Sequence, residues 1–319
     1  MKYLRLYSTD PYYNLAVEEY LLRYTDEDVF MLWQNDKTVV IGKNQNAYAE
    51  VDLAYAEKNG IRIARRLSGG GAVYHDMGNL NYTFITSRDR AAVLDYAYFT
   101  RPVIDALASL GVRATISGRN DLECEGKKIS GNAQYAWQNR VLHHGTLLFS
   151  TDKEMLSRVL RVDKEKLSAR AVRSHKGRVG NLAPCLGKGV SLEAFASHIE
   201  EHVLTSLSAQ RAAPPENAEL DALRARNASH EWIYSEKRFL TEYSVLRRRR
   251  YPFGTVCADM TLAGDVIESI RISGDFFGVR SVSELEEMLL GKKIFDAVRI
   301  DPSPYIVGMT GEALKELLQ

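Results

Sequence analysis

The 319-residue chain has room for about two domains and for a sizeable buried core. Its 42 Lys and Arg stand against 41 Asp and Glu, so a formal charge of +1 offers no global field for a polyanion, and no nucleic-acid partner is expected. With 45% apolar and 26% charged residues the composition is that of an ordinary globular protein. No apolar run reaches the roughly 18 residues of a membrane span, so no membrane partner is expected either.

The N-terminal MKYLRLYSTDPYYN has no apolar stretch followed by a small-residue cleavage site. It does not read as a secretory signal, and a cytoplasmic location is expected. Cys124, Cys185 and Cys257 are too few and too scattered for a disulfide framework or a zinc site of the CxxC type, and read as reduced packing residues.

Asp10 followed by Pro11 is a helix start, and Tyr12 to Tyr24 is rich in helix formers. VFMLW (Val29 to Trp33) and TVVIG (Thr38 to Gly42), separated by Gln-Asn-Asp-Lys, read as a hairpin. DLAYAEKNG predicts a short helix ended by Gly60, and IRIARRL a strand. Ala91 to Leu110 predicts a helix ended by Gly111. Three strands follow, VRATIS, KKISGNAQYAW and VLHHGTLLFS, with Glu125-Gly126 turning the chain between the first two. Ser191 to Leu207 is an amphipathic helix, with Leu192, Phe195, Ile199 and Val203 three and four residues apart. Arg211 to Asn227 breaks the pattern, and Arg247 to Arg250 reads as a solvated, self-repelling run that could instead meet an acidic partner. TVCADMTL, VIESIRIS, SVSELEEMLLG and GEALKELLQ then give two strands and two helices of a small α+β domain. The irregular alternation of strands and helices predicts a mixed sheet and no internal repeat.

The candidate chemistry lies in three segments. In RRLSGGGAVYHDMGNLNY (Arg65 to Tyr82) three successive glycines between strand-like runs supply no packing; they suit close backbone approach and N–H groups facing an anion, beside Arg65, Arg66, Ser68 and His75. The segment is neither a Walker A loop nor a dinucleotide fingerprint. In GRNDLECEGKKISGNAQ (Gly118 to Gln134), Lys128 stands before Ile129-Ser130-Gly131, where Gly131 again permits close approach. In HHGTLLFSTD the adjacent His143 and His144 must point to opposite faces of a strand. His198-Ile-Glu-Glu-His202 matches the H-x-x-E-H zinc pattern, but no third ligand is nominated, and a solvated helix face is the expected reading.

Together these segments resemble the lipoate–protein ligase A family over most of the chain. NLAVEEYLL (Asn14 to Leu22), VVIGKNQN (Val39 to Asn46), RRLSGGGAVYHD, KKISGNAQ, HHGTLLF and RVGNL (Arg178 to Leu182) stand in the family's order, and SGDFFGVRSVSELEEMLLGKK (Ser273 to Lys293) resembles its accessory domain. The resemblance implies an α/β (α+β) fold: a mixed-sheet catalytic domain like that of biotin and lipoate ligases over residues 1–246, and a small α+β accessory domain over 247–319. It implies two steps. Lipoate is joined to AMP from Mg-ATP with release of pyrophosphate, and a lysine amine of an acceptor lipoyl domain then takes the lipoyl group. The acceptors implied are the lipoyl domains of 2-oxoacid dehydrogenase E2 subunits or the glycine cleavage H protein, and a monomer is expected.

By the same resemblance Lys128 is the catalytic cation. Arg66 with Gly71, Ala72, Val73 and Tyr74 would hold the nucleotide and acyl phosphate, and Ser68, His75 and Asn79 would line the pocket. Asn120, Asp121, Gly131, Ala133 and His144 match positions near the adenylate, with Asp121 a candidate for Mg²⁺. The chain departs from the family between its two domains. Where a tryptophan, a glycine and a proline are usual, Glu231-Trp232-Ile233-Tyr234-Ser235-Glu236-Lys237 keeps only the tryptophan. Two other readings are an ATP-independent acyltransferase forming a thioester, with Cys124 near Lys128, and a lipoate or lipoyl-domain binding module without chemistry.

Overall fold

The structure, a computed structural model, describes residues 1–161, 179–187 and 189–319. Strand β1 (Lys2–Arg5) leads into helix α1 (Pro11–Tyr24). The Asp10 carboxylate accepts the Tyr12 N–H and Pro11 takes the first helical position, as the sequence predicts. Strands β2 (Val29–Trp33) and β3 (Thr38–Ile41) do not form the expected hairpin but enter different sheets. Their link is no solvated turn: Asn35 is fully buried and its Oδ1 accepts from Asn14 Nδ2 at 2.9 Å.

After helices α2 (Ala47–Glu50) and α3 (Leu53–Lys58) come strands β4 (Arg62–Arg65), β5 (Val73–His75) and β6 (Asn79–Ser87). Helix α4 (Tyr96–Ser109) starts later than expected, because Leu94 has φ 71° and the Asp95 carboxylate caps the Tyr98 N–H. Strand β7 (Thr115–Ser117) is followed by an unforeseen β8 (Asp121–Cys124), so Glu125-Gly126 joins β8 to β9 (Lys127–Trp137) rather than β7 to β9. Strand β10 (Arg140–Leu148), helix α5 (Lys153–Val159) and a 3-10 turn (Ala183–Cys185) precede α6 (Leu192–Ser206), capped by Ser191. Arg178 of the RVGNL segment lies outside the described residues.

Strand β11 (Gln210–Arg211) is followed by α7 (Ala218–Ala228), inside the stretch read as irregular, then by α8 (His230–Tyr234) and α9 (Glu236–Phe239). The arginine run is not a loop but the backbone of β12 (Val245–Tyr251), paired antiparallel with β13 (Gly254–Ala263), which pairs with β14 (Val266–Gly274). Its four arginine side chains stay exposed on this edge strand, where Arg249 meets Glu316 at 2.7 Å and Arg250 meets Asp275 at 3.2 Å. Helices α10 (Val282–Leu289), with a Ser281/Glu284 capping box, and α11 (Gly311–Leu318) close the chain.

The chain falls into two compact units. One comprises Met1–Val40, Val51–Ala64 and Val73–Ser229; the other comprises Ile41–Glu50, Arg65–Ala72 and His230–Gln319. In the first, an eight-stranded mixed sheet runs in the order β11-β1-β2-β6-β10-β9-β8-β7, parallel at β11-β1-β2 and antiparallel from β2 onward. Phe30, Leu80 and Tyr82 from the sheet pack with Phe99 and Val103 of α4 and Phe195 and Ile199 of α6. Each such side chain contributes about 1.5–3 kcal/mol by leaving water. Strands β4-β3-β5 form a separate small sheet. In the second unit Val256, Met260, Ile272 and Phe276 pack with Leu285 and Leu314 of the two helices. No helix of the described residues is long and apolar enough to cross a membrane.

Candidate active site

The first unit builds one group of candidate residues on the β8–β9 hairpin. Glu125 (φ 52°) and Gly126 (φ 72°) are both left-handed, the two-residue turn that suits the twist of paired strands. A register shift between Leu122 and Glu123 leaves Lys128 opposite Glu123 and Gly131 opposite Asp121. Across this bulge Lys128 Nζ reaches Asp121 Oδ1 at 2.8 Å, with both side chains partly exposed. Gly131 makes the space: a Cβ there would stand 3.1 Å from Lys128 Nζ and 3.2 Å from its Cε. Asn120 is committed to the backbone, its Nδ2 donating to the Asn132 carbonyl at 2.6 Å while its own carbonyl accepts the Asn132 N–H.

The two histidines of β10 part as expected. His144, opposite the small Ala133, turns Nδ1 to the Glu18 carboxylate of α1 at 3.1 and 3.2 Å. Glu18 also accepts from the Thr83 hydroxyl, which accepts the Trp33 indole N–H at 2.8 Å. Three strand and helix residues, Glu18, Thr83 and Trp33, thus fix one imidazole.

His143 points into the core, stacked on Phe99 with centroids 5.1 Å apart. Gln134 Nε2 donates to its Nδ1 at 3.1 Å, and its Nε2 donates to Asn132 Oδ1 at 3.2 Å. Burial first, and His144 second, hold its pKa well below the usual 6.5. Below that pH the unfolded chain takes up a proton that the folded chain refuses, so stability should fall as pH drops through 6.5. Urea unfolding at pH 5.5 and 7.5 is expected to show His143→Gln losing about 1.4 kcal/mol less than wild type over that interval. Equal acid sensitivity of the two would place the titration elsewhere.

His75 on β5 takes Asn35 Nδ2 at its Nδ1, 3.2 Å away, and Asn35 in turn accepts from Asn14 of α1. Asn79 is fully buried and donates to Asn81 Oδ1 at 2.8 Å. Tyr74 is buried opposite Val39, and burial beside Asp76 pushes its hydroxyl up to about 12; Val73 pairs with Val40.

The second unit holds the glycine loop. Arg66 folds over its own loop, with Nε donating to Ser68 Oγ at 3.0 Å and one terminal nitrogen to the carbonyls of Gly69 and Gly71 at 2.7 and 2.8 Å. The three glycines have three reasons. At Gly69 a Cβ would sit 2.4 Å from the Phe276 carbonyl oxygen; Gly70 has φ 88° and lies under the Phe277 ring; Gly71 is exposed, with Asp275 its nearest neighbour. The Gly70 N–H donates to the Phe276 carbonyl at 3.1 Å, so this amide does not face an anion as the sequence reading expects. Ala72 follows, half-buried.

Arg65, read from sequence as a cation for a ligand, is instead a buried clamp. Its guanidinium makes hydrogen bonds of 2.7–3.1 Å to the carbonyls of Gly42, Lys43, Gln45, Trp232 and Ile233. The Trp232 indole N–H returns a bond to the Arg65 carbonyl at 3.0 Å. Burial lowers the pKa of Arg65 to about 10, and it stays charged at neutral pH. The linker tryptophan therefore closes a backbone ring around Arg65, a role no spacing rule announces.

His198 bonds through Nε2 with the Ser109 hydroxyl at 2.7 Å, and Glu200 accepts from Tyr3 and Arg211. Among the described residues no three His, Cys, Asp or Glu gather as a metal site. Cys124 is buried, and burial with Cys185 alongside pushes its thiol up to about 11, the opposite of an activated nucleophile.

The model of the lipoyl protein ligase A/B catalytic domain matches residues 10–204, and that of the bacterial lipoate protein ligase C-terminus matches residues 241–301. The chain belongs to the lipoate–protein ligase A family. Lipoate-protein ligase LplJ of Bacillus subtilis is 38% identical over 300 residues, covering 92% of this chain and 90% of LplJ. Among solved structures of lipoate ligases, the bipartite ligase of Thermoplasma acidophilum, described with its E2 lipoyl domain, superposes with a TM-score of 0.66 at 30% identity over 76% of this chain and 98% of that one. A lipoate-protein ligase A bound with ATP gives 0.60 at 28% identity, covering 73% and 98%. The mixed α/β fold with a small C-terminal sheet is that of the lipoate ligases.

Proposed function

We propose that the chain is an ATP-dependent lipoate–protein ligase, and the observation that carries this reading is Lys128 poised beside Asp121 over the gap left by Gly131. A lipoate carboxylate oxygen attacks the α-phosphorus of ATP and pyrophosphate leaves; the ε-amine of an acceptor lysine then attacks the acyl carbon and AMP leaves. Both steps put negative charge on phosphate and acyl oxygens, so a fixed cation and aimed donors lower the barrier. Lys128 is that cation. By the family's motifs Arg66, Ser68, Gly71, Ala72, Val73 and Tyr74 are assigned to the nucleotide and acyl phosphate, and His75, Asn79, Asn120, Gly131, Ala133 and His144 to the adenylate. Residues 1–246 form the catalytic part and 247–319 the accessory part.

The chain fits Mg²⁺ as a single-carboxylate contributor. Mg²⁺ is commonly held by one or two carboxylates with substrate phosphates and water, and Asp121, with Oδ1 on Lys128, keeps a second oxygen for it. When bound, the ion would offset charge on the phosphates. The acceptors are lipoyl domains of 2-oxoacid dehydrogenase E2 subunits or the glycine cleavage H protein, and the enzyme works as a cytoplasmic monomer. The reading draws on the ATP-bound ligase and on the archaeal ligase with its E2 lipoyl domain.

Incubation with lipoate, Mg-ATP and a panel of apo lipoyl domains, read by intact mass, should add one lipoyl group to a single lysine only when ATP is present. Transfer without ATP would favour the acyltransferase, and binding with no pyrophosphate released would favour a binding module. Gly131→Ala should crowd a flexible side-chain end, leaving thermal stability nearly unchanged while lowering lipoate-dependent pyrophosphate exchange about tenfold, roughly 1.4 kcal/mol. Full exchange activity would show that Lys128 works from another position.

A further inference from the structure

Two thiols that the proposed reaction does not use face each other beside Lys128. We propose that Cys124 and Cys185 form a reversible disulfide with a small-molecule disulfide as oxidant, and that closing it displaces the hairpin carrying Lys128. The cross-link stands on geometry alone; only its effect on catalysis rests on the ligase reading.

The sulfurs are 3.7 Å apart. An S–S bond is about 2.04 Å long, so bonding requires an approach of roughly 1.7 Å. Cys124 ends β8 and pairs with Lys127. Cys185 ends the 3-10 turn Ala183–Cys185, which is tied to β10 and its exit by Leu182 N–H to the Leu148 carbonyl and Ala183 N–H to the Phe149 carbonyl. The segment leading to that turn lies along the same hairpin. Val179 forms a parallel bridge with Lys128, the Gly180 N–H donates to the Lys128 carbonyl at 2.8 Å, and a Cβ on Gly180 would stand 2.8 Å from the Lys127 Cβ. With contact this close, whatever part of the approach the two side-chain rotations do not supply slides the segment against the hairpin, and the Lys128 backbone is bonded to both.

The order of events follows from exposure. Cys185 is half-exposed, whereas Cys124 is buried and its thiol is pushed up to about 11. The Cys185 thiolate attacks one sulfur of the small disulfide and expels a thiolate, which takes up a proton. Cys124 then loses its proton and attacks Cys185 Sγ, expelling the second thiolate. The protein dithiol is oxidised by two electrons, and one small disulfide is reduced to two thiols.

The test uses the full chain, reduced, desalted and incubated at pH 8 with glutathione disulfide, then alkylated and mapped by mass spectrometry. The expected product is two hydrogens lighter, yields a peptide joining Cys124 to Cys185, and leaves Cys257 alkylated. Hydrogen exchange of peptides spanning residues 120–137 should change on oxidation and revert with a thiol reductant. Pyrophosphate exchange should fall at least fivefold in the oxidised chain and recover on reduction. Cys185→Ser should keep the rate of the reduced chain and lose the sensitivity. Glutathione adducts without the internal link would overturn the cross-link, and a link that leaves hairpin exchange unchanged would overturn the displacement. If reduced wild type shows no pyrophosphate exchange, the ligase reading fails, while mass and hydrogen exchange still decide the proposal.

Discussion

Lys128→Ala is expected to yield a folded chain that has lost pyrophosphate exchange by about 10²–10³-fold, or roughly 3–4 kcal/mol of transition-state stabilisation. Stability should hardly move. The Lys128 side chain is 36% exposed and its ion pair with Asp121 at 2.8 Å is open to water on both sides. Pairs of that kind contribute about 0–1 kcal/mol. Catalysis should move far, because an ammonium at the reacting phosphate acts where charge develops. Lys128→Arg is a sharper variant: it keeps the charge but adds a planar fork where Gly131 leaves room for a narrow chain, and should recover only part of the rate. Thermal melts with exchange kinetics check all three proteins. Near-normal exchange in Lys128→Ala would remove Lys128 from the mechanism.

The second large effect is on folding. Arg65→Met should destabilise the chain by about 3–5 kcal/mol, because the guanidinium serves five backbone carbonyls and each buried acceptor left without a donor costs about 1–3 kcal/mol. Water entering the site would recover part of this, which keeps the expected loss below the simple sum. Arg65→Lys should rescue little, since one ammonium cannot span carbonyls from residues 42–45 and 232–233 as a planar five-donor group does. Urea unfolding monitored by tryptophan fluorescence is apt, because Trp232 bonds to the Arg65 carbonyl. A loss below 1 kcal/mol in Arg65→Met would mean that the carbonyls find other partners.

The contrast between these two basic residues shows what the sequence could and could not tell. Local rules sufficed where a segment decides its own shape: the Asp10-Pro11 start of α1, the Ser191 cap of α6, and the alternation of β10 that separates His143 from His144. They failed where a distant partner decides. Val29–Trp33 and Thr38–Ile41 look like a hairpin, yet their link is pulled inward by Asn14 bonding Asn35. Helix α7 buries only Leu220 and Asn227, so its apolar periodicity is too faint to read. Strand β12 is held by backbone pairing with β13 beneath four charged side chains. At the candidate site the motif residues were found by type and order, but not their supports. Glu18, in a helix whose neighbour Glu19 is equally buried, carries no sign that it will hold His144. Arg65 and Arg66 look alike on paper, while one binds the carbonyls of residues 42–45 and 232–233 and the other its own loop.

The glycine triplet has a consequence for how this sequence can drift. Residue 69 is small because the Phe276 carbonyl occupies the place of its side chain, and residue 70 because the Phe277 ring lies over it, whereas residue 71 has only Asp275 Cβ at 3.9 Å. A substitution at 71 can be accepted alone. One at 69 meets backbone that no exchange of side chain at 276 removes, and one at 70 meets a left-handed backbone besides the Phe277 ring, so these two positions should stay glycine across descendants of a common ancestor while 71 drifts.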